Sequence, residues 1–199
     1  MKILSFDAPP VNENEIFRYM KTDATDGAKA LLSECLKEAE SVLSFRVIYE
    51  IYPVTFFEES GDNGLIDLCF AKTHSKDLCK NLKGFEKIVL FSATVGVGID
   101  RLINKYSVLS PSKALCFQAI GSERVEALCD CFNERIKQKF SSTAPRFSPG
   151  YGDLGLYLQK DIFKALPMGR IGVGLGESLL MSPSKSVTAV IGVNGEETI

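Results

Sequence analysis

The chain has 199 residues, 45% of them hydrophobic and 24% charged. This is an ordinary globular balance, at a length that suits one domain or one domain with an appendage. A formal net charge of -2, with no dense Lys/Arg stripe, gives no field for nucleic acid.

The opening segment, Met1 to Asp7, has neither a long apolar region nor a small-residue cleavage site, so no secretory signal is expected. Asn12 starts the first predicted helix, running to Lys21, with Glu15 three residues on as an acidic cap partner. Ile16, Phe17 and Met20 give it an apolar face. A second helix is predicted over Gly27 to Leu43, where Leu31, Leu32, Cys35, Leu36, Ala39, Val42 and Leu43 recur at helical spacing. From Ser44 to Phe57 the pattern changes to a strand, with Phe45, Val47, Tyr49 and Ile51 alternating with Arg46, Ile48 and Glu50. Pro53 makes the rest an edge or bend. Glu58 to Gly64 reads as a turn-rich loop, Leu65 to Ala71 as a short strand, and Ser75 to Leu82 as a short helix.

Lys87 to Val95 is nearly all apolar and reads as a buried strand. After Gly96-Val97-Gly98 comes a helical stretch, Asp100 to Tyr106. Ser110-Pro111 is a helix start, with a capping hydroxyl and proline at the first position. That helix runs to Phe140, with Gly121, Val125, Leu128, Phe132 and Ile136 on one face. Glu123, Asp130, Glu134 and Lys137 lie on the other. Ser141 to Gly155 reads as a loop, and Leu156 to Leu166 as a helix turning Leu158, Ile162 and Phe163 inward. The last segment reads as a hairpin with arms Ile171 to Met181 and Ser186 to Val193 around Ser182-Pro183-Ser184-Lys185. The first two helices suggest a small appendage at residues 1–43, leaving 44–199 as the main domain.

No run reaches the ~20 apolar residues of a membrane-spanning helix. The six cysteines are scattered and mostly lie in apolar patterns, which points to a reducing, cytoplasmic setting rather than a disulfide framework. His74 is the only histidine. It leaves little from which to build a metal cluster or a Ser-His-Asp triad, and reads as a loop residue before a helix.

The Gly96-Val97-Gly98 turn sits between strand and helix, where backbone amides can cradle a phosphate. It lacks both a third fingerprint glycine and a Lys-Ser/Thr pair, and reads as a structural turn. Arg146-Phe147-Ser148-Pro149-Gly150-Tyr151-Gly152-Asp153 is the densest constellation. Arginine can clamp a carboxylate, glycine admits close approach, and tyrosine offers a flat ring. Such a loop suits a zwitterionic or nucleoside-like ligand; a connector with a solvated arginine has the same composition. Alone, Glu126 reads as a surface carboxylate, Glu177 as an exposed strand end, and Lys185 as a solubilising charge.

Four pieces of the second half resemble the activation module of cobalamin-dependent methionine synthase. They are Asp100 to Tyr106 after Ala93-Thr94-Val95-Gly96, Gln118 to Leu128, Arg146 to Tyr151, and Gly176 to Val187. The arginine, three spacers and Gly-Tyr are the most specific part. The resemblance implies an α/β (α+β type) fold, with a twisted, mainly antiparallel sheet flanked by helices. It implies a protein that binds S-adenosylmethionine and supports reductive methylation of cob(II)alamin. The cobalamin would be carried by a separate methionine synthase or related corrinoid protein, with a flavodoxin-type electron donor. Carried over by motif, Arg146 would hold the ligand's carboxylate, Ser148 would give backbone contacts, and Gly150 would admit the adenosine. Tyr151 would line the pocket and Glu126 would face the cationic groups. These residues position the ligand; no catalytic or metal-ligating residue is implied. Gly152 and Ser182 depart from the family pattern, which often has proline and can have tryptophan there. The ligand-contacting tyrosines of the full-length module would fall near Ile199, so a partner is expected to close the pocket. The alternative is a docking or chaperone protein for a corrinoid methyltransferase that no longer binds the ligand.

Overall fold

A computed structural model describes residues 1–57 and 64–197. Except for Gly64, the expected loop at Glu58 to Gly64 lies outside the described residues. The centre is a five-stranded sheet of β1 (Lys2–Phe6), β2 (Phe45–Pro53), β6 (Lys87–Thr94), β10 (Ser186–Asn194) and β7 (Ser142–Thr143), in that spatial order. Each neighbouring pair is antiparallel. A small three-stranded sheet, β3 (Thr55–Phe56), β4 (Leu65–Asp67) and β5 (Lys72–His74), flanks it. The exposed His74 lies on β5 rather than in a loop.

The central sheet is buried on both faces, which explains the almost unbroken apolar run of β6. Val89, Phe91 and Ala93 face a core made with α1 (Glu13–Met20), α2 (Asp26–Glu40), α4 (Gly98–Leu109) and α5 (Pro111–Lys139). Ile88 and Leu90 face a second core, made with α3 (Lys76–Asn81) and α6 (Gln159–Ala165) among others. In the first core Phe132 of α5 packs on Phe91 and Tyr49, with ring centroids 4.8 and 5.3 Å away.

Helix starts follow local chemistry. Asn12 caps α1 as expected, its side chain accepting from the Glu15 amide at 3.3 Å. Pro111 occupies the first turn of α5, but the Ser110 side chain makes no capping bond. The expected helix at 156–166 divides into a 3₁₀ turn, Leu156–Leu158, and α6.

Three readings change. The first 40 residues carry a strand as well as two helices: β1 pairs with β2 from Lys2↔Tyr49 to Phe6↔Phe45. It is short and mostly exposed, so alternation gives little signal there. Ile16, Phe17, Met20, Leu32, Cys35 and Ala39 of α1 and α2 join the core formed by β2, β6 and β10. The C-terminal hairpin is also different. β8 (Gly174–Leu175) pairs with β9 (Met181–Ser182), while β10 pairs with β6 and β7 instead of returning along 171–181.

Glu123 is the third. It lies on no polar face: it is 4% exposed beside Arg124, which is 2% exposed. Arg124 donates to both Glu123 carboxylate oxygens, Nε to Oε2 at 2.5 Å and Nη2 to Oε1 at 2.6 Å. Its other donors reach the carbonyls of Pro9 and Pro10 at 2.6 and 2.7 Å. A proline carries no N–H, so the carbonyl is its only backbone handle. The pair thereby fastens the connection between β1 and α1 to the flank of α5.

Candidate functional site

A cleft of about 590 Å³ opens beside the sheet, lined by Glu126 of α5, Arg146, Ser148, Pro149 and Tyr151 of one loop, and Leu179 to Met181 of the β8–β9 turn. Leu156, Gln159 and residues 184 and 186–188 complete its lining. Four of the five residues singled out from the sequence therefore meet in one place. Gly150 does not line the cleft. Its φ of 90° turns the loop, a conformation costly for a side-chain-bearing residue. The turn is held by its amide donating to the Leu154 carbonyl at 2.8 Å.

The loop is fixed at both ends. Phe147 and Val190 exchange backbone bonds, each 2.9 Å, so the loop begins as an extra rung on β10. At the other end Asp153 accepts from the Lys76 and Asp77 amides at 2.7 and 3.3 Å, and from the Ser75 hydroxyl. A carboxylate at the exposed amides of a helix start is a favourable capping arrangement. The Ser75 hydroxyl and these amides hold the Asp153 carboxyl below its ordinary range.

Arg146 projects from this loop towards α5. Its Nη2 donates to Glu126 at 2.6 Å and its Nη1 to Asp130 at 2.5 Å. These acids are one helical turn apart, so i,i+4 spacing presents both to one guanidinium. Burial opposes the Arg146 charge, but the Asp130 hydrogen bond and the Glu126 and Asp130 charges raise its pKa above ordinary arginine. Burial also pushes the neighbouring Cys129 thiol up to about 12, making it a packing residue rather than a nucleophile.

One wall is the free edge of β10. Val190, Gly192 and Asn194 point their carbonyls towards Phe147, Ala144 and Ser141. Backbone direction alternates along an antiparallel strand, so Ser186 and Thr188 turn their N–H and C=O groups to the same side. β7 pairs only with Val193 and Asn194, leaving that stretch facing the cleft. The Ser186 and Thr188 side chains are engaged elsewhere: Ser186 donates to Thr94 at 2.9 Å, and Thr188 to Gln159 at 3.0 Å.

The sequence reading missed Gln159, Leu179 and Leu180. Gln159 is buried at 4% exposure but stands beside Leu158 in an apolar helical pattern that hides it. Leu179 has φ 63°, an uncommon conformation for a branched residue; no sequence pattern marked it. The other candidates resolve as structure. A Cβ on Gly98 would stand 2.3 Å from the Val42 carbonyl oxygen, and one on Gly96 2.5 Å from the Ser44 hydroxyl. Both glycines permit close packing of the α2–β2 connection. Glu177 is exposed and outside the cleft lining. Lys185 is half-buried rather than solubilising, and donates to the Ser122 hydroxyl at 2.9 Å. Burial pushes its pKa down, against the pull of Asp100. Among the described residues no group of three or more His, Cys, Asp and Glu could hold a metal ion. No helix there is long and apolar enough to cross a membrane.

No family model matches the sequence, and no curated protein matches it significantly. Among solved structures, the chain is similar to the MetH reactivation domain bound to AdoHcy, with a TM-score of 0.67 and 16% identity. The match covers 100% of this chain and 80% of that one. The chain has that fold: a curled antiparallel sheet flanked by helices.

Proposed function

We propose that this protein binds S-adenosylmethionine in the cleft beside β10 and presents it to cobalamin carried by a separate corrinoid protein. It would thereby serve as a reactivation subunit for a cobalamin-dependent methionine synthase. One observation carries the reading. Glu126 of α5 and Arg146, Ser148 and Tyr151 of the loop that follows it line one cleft on the fold of a solved domain that holds AdoHcy, S-adenosylhomocysteine.

The cleft suits the ligand chemically. Its volume, about 590 Å³, lies within the usual range for small-molecule sites, roughly 300–1,000 Å³. Arg146 has five N–H donors, and its bonds to Glu126 and Asp130 leave others for the ligand's carboxylate. The edge groups of Ser186 and Thr188 offer the alternating donor and acceptor that an adenine edge requires. Leu156, Leu179 and Pro149 give it an apolar bed, and Glu126 a counter-charge for the ligand's cationic groups. The bound ligand supplies an activated methyl group; the protein's residues hold and orient it without acid–base work. Tyr151 and Leu180, which line the cleft, are 73% and 66% exposed, an apolar rim on which the corrinoid partner docks. A flavodoxin-type protein is the proposed electron donor. The free cysteines, with Cys35, Cys116 and Cys129 buried, fit a reducing cytoplasm.

Isothermal titration with S-adenosylmethionine and S-adenosylhomocysteine tests the reading. Binding of both is expected, weakened about 10- to 100-fold in Arg146→Ala, the range for a lost charged hydrogen bond. No binding, alone or with a cobalamin-loaded synthase lacking its own module, refutes it. A docking protein without ligand is the second reading, favoured by the engagement of Arg146 with Glu126 and Asp130. In that case Arg146→Ala supports reactivation as well as wild type does.

A further inference from the structure

The cleft wall holds one polar side chain that the binding reading leaves unused. Gln159, the first residue of α6, is 4% exposed and lines the cleft together with Thr188. Its Oε1 accepts from the Thr188 hydroxyl at 3.0 Å. Its Nε2 meets no acceptor among the described residues, yet it is not sealed from solvent. The open side of so buried a residue is the cleft it lines, so the free NH2 group is turned towards it.

A carboxamide can turn over and exchange its O and NH2 ends, but here the surroundings fix it. The Thr188 hydroxyl, 2% exposed, needs an acceptor. Ser92, its register partner on β6, is fully buried, and its Oγ lies within hydrogen-bonding distance of no partner. It therefore offers no alternative. Turned over, Gln159 would strand the Thr188 proton in the interior. A buried donor without an acceptor is disfavoured by a factor of roughly 5 to 150. Thr188 thus holds the Gln159 oxygen inward and aims its two N–H donors at the cleft.

We propose that Gln159 is a specificity residue for the ligand's heterocycle, donating through Nε2 to a bare ring nitrogen of adenine, with Thr188 as the residue that positions it. The proposal rests on the S-adenosylmethionine reading above. In that reading the adenine edge lies on the backbone groups of Ser186 and Thr188. Adenine in a nucleoside carries three ring nitrogens without hydrogen, N1, N3 and N7. The strand edge satisfies one of them together with the exocyclic amine, so two acceptors remain. Gln159 supplies a donor beside the same stretch of β10. The amino-acid half of the ligand is served from the α5 side, by Arg146 and Glu126. A fixed amide donor accepts a bare nitrogen and rejects a C–H or N–H in its place, since either leaves the amide unpaired. A ribose hydroxyl is a different partner: it both donates and accepts, so it tolerates a carboxylate where the amide stood. A ring nitrogen does not.

The experiment is calorimetric titration of the intact chain with S-adenosylhomocysteine and its 1-, 3- and 7-deaza analogues, each with C–H in place of one ring nitrogen. Gln159→Glu keeps the oxygen that Thr188 needs and exchanges the NH2 donor for an acceptor. Its affinity for S-adenosylhomocysteine should fall about 10- to 100-fold. Gln159→Met removes the donor without adding charge, and should lose about tenfold. In wild type the analogue lacking the contacted nitrogen should bind about tenfold more weakly than S-adenosylhomocysteine. That gap should close in Gln159→Met, while the gap for the nitrogen at the strand edge persists. Thr188→Val should weaken binding severalfold, Thr188→Ser should restore it, and Thr188→Val should add nothing to Gln159→Met. Unchanged or tighter binding in Gln159→Glu overturns the proposal in favour of a ribose contact. The same analogue pattern in wild type and Gln159→Met overturns it too, and both results leave the binding reading intact. If S-adenosylhomocysteine does not bind wild type at all, the binding reading falls and the role of Gln159 with it.

Discussion

Replacing Arg124 by methionine should destabilise the protein far more than a change on a helix flank ordinarily does. The side chain is 2% exposed and makes four hydrogen bonds, two to Glu123 and one each to the Pro9 and Pro10 carbonyls. Methionine fills much of the volume but leaves the Glu123 carboxylate, itself 4% exposed, without a counter-charge. The Asn12 amide, which donates to that carboxylate at 3.0 Å, stays in place but carries no charge. Breaking a buried pair from one side costs about 3–5 kcal/mol, because an uncompensated charge stays in the interior. A loss of that size should appear in urea denaturation as a lower midpoint with little change in slope. The double variant Glu123→Met with Arg124→Met removes both charges, so it should recover much of the loss despite deleting more hydrogen bonds. A loss below about 1 kcal/mol for Arg124→Met would mean that water reaches the pair. A double variant worse than the single one would mean that the pair, not the stranded charge, supplies the stability. Either result refutes the reasoning.

Two further outcomes are expected. Phe132→Ala should cost about 3–5 kcal/mol, since the ring is fully buried against Phe91 and Tyr49; thermal or chemical unfolding measures it. Asp153 tests pH dependence. Its folded pKa is depressed below 3.8, chiefly by the Ser75 hydroxyl. The group therefore contributes stability that is fully present above its unfolded pKa and lost as pH falls through the folded one. Asp153→Asn should unfold more easily than wild type at pH 7, with the gap narrowing below about pH 4; equal gaps at pH 7 and pH 3 contradict this.

Much of the fold was legible because it rests on local chemistry. Asn12 before Glu15, the Ser110-Pro111 start of α5 and the alternation from Phe45 to Ile51 are determined by neighbours in the chain. The apolar run of β6 announced burial, though not that two separate cores would cover its faces. The Arg146 to Tyr151 motif marked a loop worth attention, and its order relative to Glu126 and the Gly176 to Val187 segment carried the resemblance to the fold.

Tertiary structure decided what those residues face. Glu123 and Glu126 are three apart on one helix and look equally solvated in sequence, yet one is sealed by Arg124 and the other opens on the cleft. That difference depends on Pro9 and Pro10, more than 110 residues away, which periodicity cannot register. Lys185 looked like a surface charge because burial of a lysine is set by what packs over its stem, here Gly121 with a Cβ position 2.9 Å from the Lys185 Cγ. The hairpin reading failed for a related reason: β10 has a longer and better-buried partner in β6 than in the segment just before it. The sequence by itself determined the elements and named the loop. Only the folded chain set the free edge of β10 beside that loop and brought two acids to one arginine. Cleft walls and ion pairs are properties of long-range neighbours, not of any run of residues.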